Sequence, residues 1–161
     1  MRRQRHGFSL IELLIVVAII LTIAAIAMPN FLRARMQANE TATVGALRTI
    51  TTAVVTYEST YQRGYPNALV DLAPPPVGTP PSATAADLID RLLASGTRSG
   101  YSFAYVPTDT NGDGRMDFYV VNADPASPGV SGQRHFYVDH TNVIRYNNSV
   151  AAGPGDRPIP Q

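Results

Sequence analysis

The feature that most constrains this chain is an almost unbroken apolar run from Phe8 to Met28, in which 18 of 21 residues are apolar and only Ser9, Glu12 and Thr22 interrupt it. As a helix it measures about 31 Å, the thickness of a bilayer's hydrocarbon core. A membrane segment is therefore expected. Before it stands Met1-Arg2-Arg3-Gln4-Arg5-His6-Gly7, whose three arginines hold the amino terminus in the cytoplasm, while Arg33 and Arg35 beyond the run oppose this more weakly. The remainder is expected to face outward. A length of 161 residues allows one ordinary domain with one appended element. The absence of cysteine removes disulfide scaffolds, thiolate-ligated zinc or iron–sulfur sites and thiol catalysis. With 13 basic residues, all arginine, against 12 acidic ones, a general polyanion-binding surface is not expected and nucleic acid is not the default partner.

Three readings of the amino terminus compete. A secretory signal would use the small-x-small pattern Ala25-Ile26-Ala27 and release a soluble exported calcium-binding module starting at Met28. The run exceeds the usual 7 to 15 apolar residues of such signals, and Glu12 stands near its start. A plain anchor explains the length but leaves Glu12 costing roughly 2.5–3.5 kcal/mol at the bilayer centre, with nothing gained. The third reading starts from Gly7-Phe8-Ser9-Leu10-Ile11-Glu12-Leu13-Leu14, a glycine, an aromatic, an acid four residues later and then the apolar run. This resembles the leader and processing site of type IV prepilins and of type II secretion pseudopilins, and Pro29 falls where that family commonly carries a proline.

The resemblance implies cleavage between Gly7 and Phe8 by a prepilin peptidase that also N-methylates Phe8. It implies a leader at 1–7, a transmembrane and assembly helix at 8–28, and a helical spine at 29–63. A loop, short helix and sheet at 64–150 and a flexible tail at 151–161 complete the expected organisation. It further implies a single pass through the bacterial inner membrane, with a periplasmic carboxy-terminal domain, and assembly into a homo-oligomeric helical filament at the periplasm or cell surface. Lipid is the partner before assembly, and an inner-membrane assembly platform and an assembly ATPase are the expected machinery. Glu12 gains a role, since a buried carboxylate becomes tolerable when paired with the free Phe8 ammonium of a neighbouring subunit, which would set the filament register. The leading expectation is a major pseudopilin of a type II protein secretion system. The alternative is a type IV pilin for adhesion, motility or DNA uptake.

Beyond Pro29 the apolar pattern becomes periodic. Val44, Leu47, Ile50, Val54, Tyr57 and Tyr61 recur at spacings of three and four, one stripe of a helix. One helix is expected from about Phe8 to Tyr61, kinked at Pro29 and ended by Gly64-Tyr65-Pro66-Asn67. Pro74, Pro75, Pro76, Pro80 and Pro81 predict an exposed, semi-rigid loop. Thr84 is expected to cap a short helix through Ala94, with Leu88, Leu92 and Leu93 on its apolar face. Tyr101 to Val106, Met116 to Val121, Arg134 to Val138 and Val143 to Tyr146 read as strands with short, antiparallel connections. The fold class is α+β, a long amino-terminal helix on an antiparallel sheet of about four strands, which is also what the resemblance implies.

The sharpest local pattern outside the amino terminus is Asp109-Thr110-Asn111-Gly112-Asp113-Gly114-Arg115-Met116-Asp117. Oxygens from Asp109, Asn111 and Asp113, glycine at position six, the Arg115 carbonyl and the Asp117 carboxylate follow the first part of an EF-hand calcium loop. Position twelve is Val120, so the usual bidentate glutamate is missing and a further ligand would come from Asp124 or Asp139. The alternative is a plain hairpin turn built on Asn-Gly and Asp-Gly. Calcium in a strand loop is a property of major pseudopilins, and Gly64-Tyr65-Pro66 with Leu69 and Leu72 is similar to a region of theirs. The absence of a carboxy-terminal cysteine pair points away from the best-known adhesive pili. His135 and Asp139 share a strand face by parity and allow a polar pair, with His140 beside them. No nucleophile motif, metal-binding histidine spacing or phosphate loop is present, so no enzyme activity and no organic cofactor are expected.

Overall fold

The computed structural model describes residues 9–160. The first element is a helix, α1 (Leu10–Tyr61), 52 residues long and continuous through Pro29. The ring of Pro29 leaves the Ala25 carbonyl without its i+4 donor. One position on, the Asn30 side-chain amide donates to the Ile26 carbonyl at 3.3 Å, adding a hydrogen bond next to the gap. The chain divides into two compact units, 1–35 and 36–161, so the helix enters the folded unit at Met36 rather than at Pro29.

In the second unit, α1 buries one stripe. Leu47, Ile50, Val54 and Tyr57 are buried as the spacing predicts, Val44 and Tyr61 are partly buried against them, and Ala46 and Ala53 are buried in the same cluster. After a 3-10 turn (Leu69–Leu72) and a one-turn helix, α2 (Arg91–Ala94), six strands follow: β1 (Thr97–Arg98), β2 (Tyr101–Thr108), β3 (Phe118–Pro125), β4 (His135–Asp139), β5 (Arg145–Asn147) and β6 (Arg157–Pro158). They form one antiparallel sheet in sequential order. Its inner face presents Tyr101 and Phe103, then Tyr119, Val121 and Ala123, then Phe136 and Val138 to the helix stripe. These positions alternate with more exposed ones along β2 and β3, the period-two signature of a one-sided sheet.

Several expectations are corrected. The sheet has six strands rather than four, because the two edge strands have two residues each and carry no periodicity to read. The strand expected at Met116 to Val121 lies at Phe118–Pro125, where the alternation continues through buried Ala123 and Pro125. Thr84 caps nothing helical. The N–H groups of Ala86 and Leu88 donate to the Asp71 and Leu72 carbonyls instead, at 2.8 and 2.9 Å, and only Arg91–Ala94 turns helically, capped by Asp90 accepting from Leu93 N–H at 3.0 Å. The tail expected to be flexible is tied to the sheet. Its β6 pairs with β5, Ala152 is buried, and Ile159 N–H donates to the Ile144 carbonyl at 3.0 Å.

One charged residue ties the helix to the sheet. Glu40, 6% exposed, accepts from the N–H groups of Gln133 and Arg134 at 2.9 and 3.1 Å and from Arg134 Nε at 2.7 Å. Asn39 Nδ2 donates to the Ser131 carbonyl at 2.7 Å, so consecutive helix residues hold the connection between β3 and β4. The Arg134 guanidinium lies 5.5 Å from the centres of both the Phe136 and Tyr146 rings. Burial alone would raise the Glu40 pKa, but the two N–H groups and the guanidinium outweigh it and the net direction is down. A depressed carboxylate stabilises the fold above its unfolded pKa, and that contribution is lost as pH falls through the folded value. Glu40→Gln is therefore expected to destabilise by about 1.5–3 kcal/mol at pH 7. The gap to the unsubstituted chain should narrow below the ordinary carboxylate range near pH 4.5. Chemical unfolding of the detergent-solubilised chain across that pH range checks it, and an equal gap at all pH values would contradict the ionic anchor.

Candidate functional site

The amino-terminal unit is defined by what it leaves uncovered. From Leu10 through Met28 the apolar side chains are exposed, with Leu10, Leu14, Leu21 and Ile26 each more than 60% accessible. Among the described residues, α1 is long and apolar enough to cross a membrane. At its start, Ser9 N–H donates to Glu12 Oε2 at 2.9 Å and Leu13 N–H reaches the Ser9 carbonyl at 3.3 Å. Glu12 thus caps the first turn of its own helix, where a carboxylate also faces the positive end of the helix dipole. Gly7 and Phe8, the expected processing residues, lie outside the described residues. Pro29 lies within α1.

The Asp109–Asp117 segment joins β2 to β3 as a self-bonded loop. Asp109 Oδ1 accepts from the N–H groups of Asn111 and Gly112 at 3.2 and 2.7 Å, and Oδ2 accepts from Gly114 N–H at 2.8 Å. Asn111 Oδ1 takes Asp113 N–H at 3.0 Å, Asp113 Oδ1 takes Arg115 N–H at 2.8 Å, and Asp117 takes both the N–H and the hydroxyl of Thr110. The Gly114 N–H leads the groups that hold the Asp109 pKa below the ordinary carboxylate value, and the Thr110 hydroxyl does the same for Asp117. Among the described residues no three His, Asp or Glu side chains converge as a metal-binding group. The loop is also stitched to the end of α1. Arg115 donates to the Gln62 carbonyl at 2.8 Å and Tyr65 N–H to the Met116 carbonyl at 2.7 Å. Gly64 has φ +84°, and a Cβ there would stand 2.6 Å from the Met116 oxygen, so only glycine fits.

The two residues named as further ligands are engaged elsewhere. Asp124 lies 2.6 Å from His135 Nδ1, and Asp139 accepts from Tyr137 and Thr141. The pair of His135 with Asp139 that strand parity allows does not form. Four residues along one strand separate side chains by about 13 Å, so shared parity gives a common face without contact, whereas Asp124 is the cross-strand neighbour. His140 packs against Phe118 with ring centres 4.7 Å apart and planes tilted by 53°.

Comparison with known proteins bears on the amino terminus. The prokaryotic N-terminal methylation motif matches residues 2–28, which include Gly7, Phe8 and Glu12. The amino-terminal segment of the chain is type IV prepilin-like. The chain is also 59% identical over 39 residues to the type IV wide pilus major component PilA4 of Thermus thermophilus, a match spanning 24% of this chain and 30% of that protein. The chain thus covers less than a third of the length of the curated relative it matches. No solved structure matches it.

Sequence reasoning found the prepilin-like terminus but missed Glu40 as the helix-to-sheet anchor. Its signal was present, since Glu40 stands four residues before Val44 and continues the buried stripe. For the loop, Asp109→Ala is expected to speed amide exchange at Gly112 and Gly114 while the amides of β2 and β3 keep their protection. Hydrogen exchange read by NMR checks this, and a uniform loss of protection would show that the carboxylate supports the whole sheet instead.

Proposed function

We propose that the chain is a structural subunit of a helical type IV pilus-like filament, trimmed after Gly7 and N-methylated at Phe8. The observation that carries the reading is the prepilin-type motif at the head of a helix whose apolar residues from Leu10 to Met28 are exposed. Lipid covers such a surface before assembly, and the same segments of neighbouring copies cover it afterwards. Between the two expectations drawn from the sequence, the type IV pilin is better supported than the type II pseudopilin, because the relative is by its name a pilus component. Periplasmic placement of the second unit, processing by a prepilin peptidase and extrusion by a membrane platform with its ATPase belong to the same proposal.

Glu12 acts in two states on this reading. In a lone subunit its carboxylate caps the Ser9 end of α1, and in the filament it pairs with the Phe8 ammonium of a neighbour, which fixes the register of the bundle. For the Asp109–Asp117 loop we propose weak calcium binding, supported by the residue pattern of Asp109, Asn111, Asp113, the Arg115 carbonyl and Asp117. Millimolar calcium should raise the melting temperature of the chain, and Asp113→Ala should abolish the rise; no rise would leave a plain turn.

Two substitutions test the filament subunit. Gly7→Val is expected to block trimming, read by intact mass and amino-terminal sequencing of membrane-extracted protein from a host with its prepilin peptidase. Glu12→Val should leave insertion and trimming normal but abolish filaments seen by electron microscopy. A trimmed Gly7→Val product would refute the leader, and normal filament yield from Glu12→Val would refute the register role.

A further inference from the structure

The exposed apolar surface of α1 does not end at Met28. Phe31 and Leu32 are still 66% and 48% exposed, and after them come Arg33 and Arg35, both exposed, just before the folded unit begins at Met36. Along the helix axis the two arginines stand about 35 and 38 Å beyond Leu10. A hydrocarbon core is about 30 Å thick, and the headgroup layers bring the bilayer to about 40–45 Å. A helix that enters the core near Leu10 therefore delivers both guanidiniums to the level of the lipid phosphates on the far side. Helical side chains lean toward the amino terminus of their helix, which here is the membrane side, so both arginines are directed back at the headgroups. The aliphatic stem of an arginine tolerates that boundary while its charged head stays in the polar layer.

Neither guanidinium is matched by a carboxylate of its own chain. The sequence has no acidic residue between Glu12 and Glu40, and the Glu40 oxygens are engaged by Gln133 and Arg134. None of the ion pairs among the described residues includes Arg33 or Arg35. Residues i and i+2 lie about 200° apart around a helix, so the two charges point to nearly opposite sides of α1. One protein face would meet one of them, whereas a headgroup layer surrounds the helix and meets both.

We propose that Arg33 and Arg35 form a two-sided collar that binds the phosphates of anionic phospholipids in the leaflet beyond the membrane segment. The inference rests on the membrane-inserted subunit of the filament reading and adds the class of lipid to it. A guanidinium offers a fork of N–H donors that fits two phosphate oxygens, and it keeps its charge at every pH a membrane meets. The phosphate of phosphatidylcholine is already balanced by that lipid's own ammonium, so a lipid with net negative charge is the one recruited. On the filament reading, trimming after Gly7 removes Arg2, Arg3 and Arg5 and leaves Arg33 and Arg35 as the first basic side chains of the subunit. The lipid contact that must break when the helix leaves the bilayer then lies on the side of the folded unit.

The test uses the membrane-extracted chain, unassembled, in phosphatidylcholine bilayers doped with spin-labelled phosphatidylglycerol or spin-labelled phosphatidylcholine. Electron spin resonance reads the share of each label immobilised at the protein. Any leader arginines still attached contribute equally to every variant, and intact mass confirms that the amino termini match. The expected result is a preference for the phosphatidylglycerol label that falls by equal steps with Arg33→Gln and with Arg35→Gln, and by at least a third with both. Raising the salt to 1 M should weaken the preference of the unsubstituted chain. No preference in that chain, or an undiminished one in the chain with both substitutions, would overturn the collar. An undiminished preference together with loss of filaments would overturn it in favour of carboxylates on a neighbouring copy, leaving the filament reading standing. A chain that alkaline carbonate strips from the vesicles would overturn the inserted subunit and the collar together. The expected lipid preference in an unsubstituted chain that never forms filaments would support the collar and overturn the filament reading alone.

Discussion

A helix that is apolar on every side cannot be satisfied by its own chain, and this constraint organises the rest of the protein. From Leu10 to Met28, α1 has no polar face on which to rest against a sheet, and its large apolar side chains stay exposed. From Met36 onward the same helix is amphipathic, and its stripe receives a one-sided sheet. The change of pattern falls within one continuous element. Pro29 and Asn30 lie close to that change, with the Asn30 amide bonded to the Ile26 carbonyl where the backbone ladder is interrupted.

Within the folded unit, stability is concentrated at the junction of helix and sheet. Hydrophobic burial supplies the non-directional part, through Leu47, Ile50, Val54 and Tyr57 against Tyr101, Tyr119 and Phe136. Glu40 supplies the directional part, since its oxygens meet two backbone N–H groups and a guanidinium from one short connection. At the other end of the helix spine, Gly64 and Tyr65 meet Met116, so the Asp109–Asp117 loop is fixed to the point where α1 stops. The carboxylates of that loop accept its own N–H groups, and this gives a loop rich in glycine and aspartate a defined shape with little apolar burial.

Much of this was legible in the sequence because it rests on periodicity. The apolar run, the stripe from Val44 to Tyr61 and the alternation of β2 and β3 each repeat often enough to be read without coordinates. What was not legible depends on pairings between segments. The stretch around Ala86 and Leu88 has the composition of a helix, yet its N–H groups find the carbonyls of the Leu69–Leu72 turn. Edge strands of two residues have no pattern at all, and Pro158 in one of them looks like a loop until Tyr146 and Arg145 are seen beside it. The partner of His135 was not legible for a related reason, because strand parity tells which face a residue occupies and register tells which neighbour it meets.

The sequential order of the six strands bears on how the folded unit can come into being. Every strand pairs with the one made just before it, and no strand inserts between two others. The helix that carries the core stripe is the first element of the chain, so each new hairpin finds both its backbone partner and its apolar support already synthesised. A chain delivered from its amino terminus can therefore add the sheet to its spine one hairpin at a time, with the loop-closure entropy of each step kept small and no unpaired strand left waiting for a distant segment.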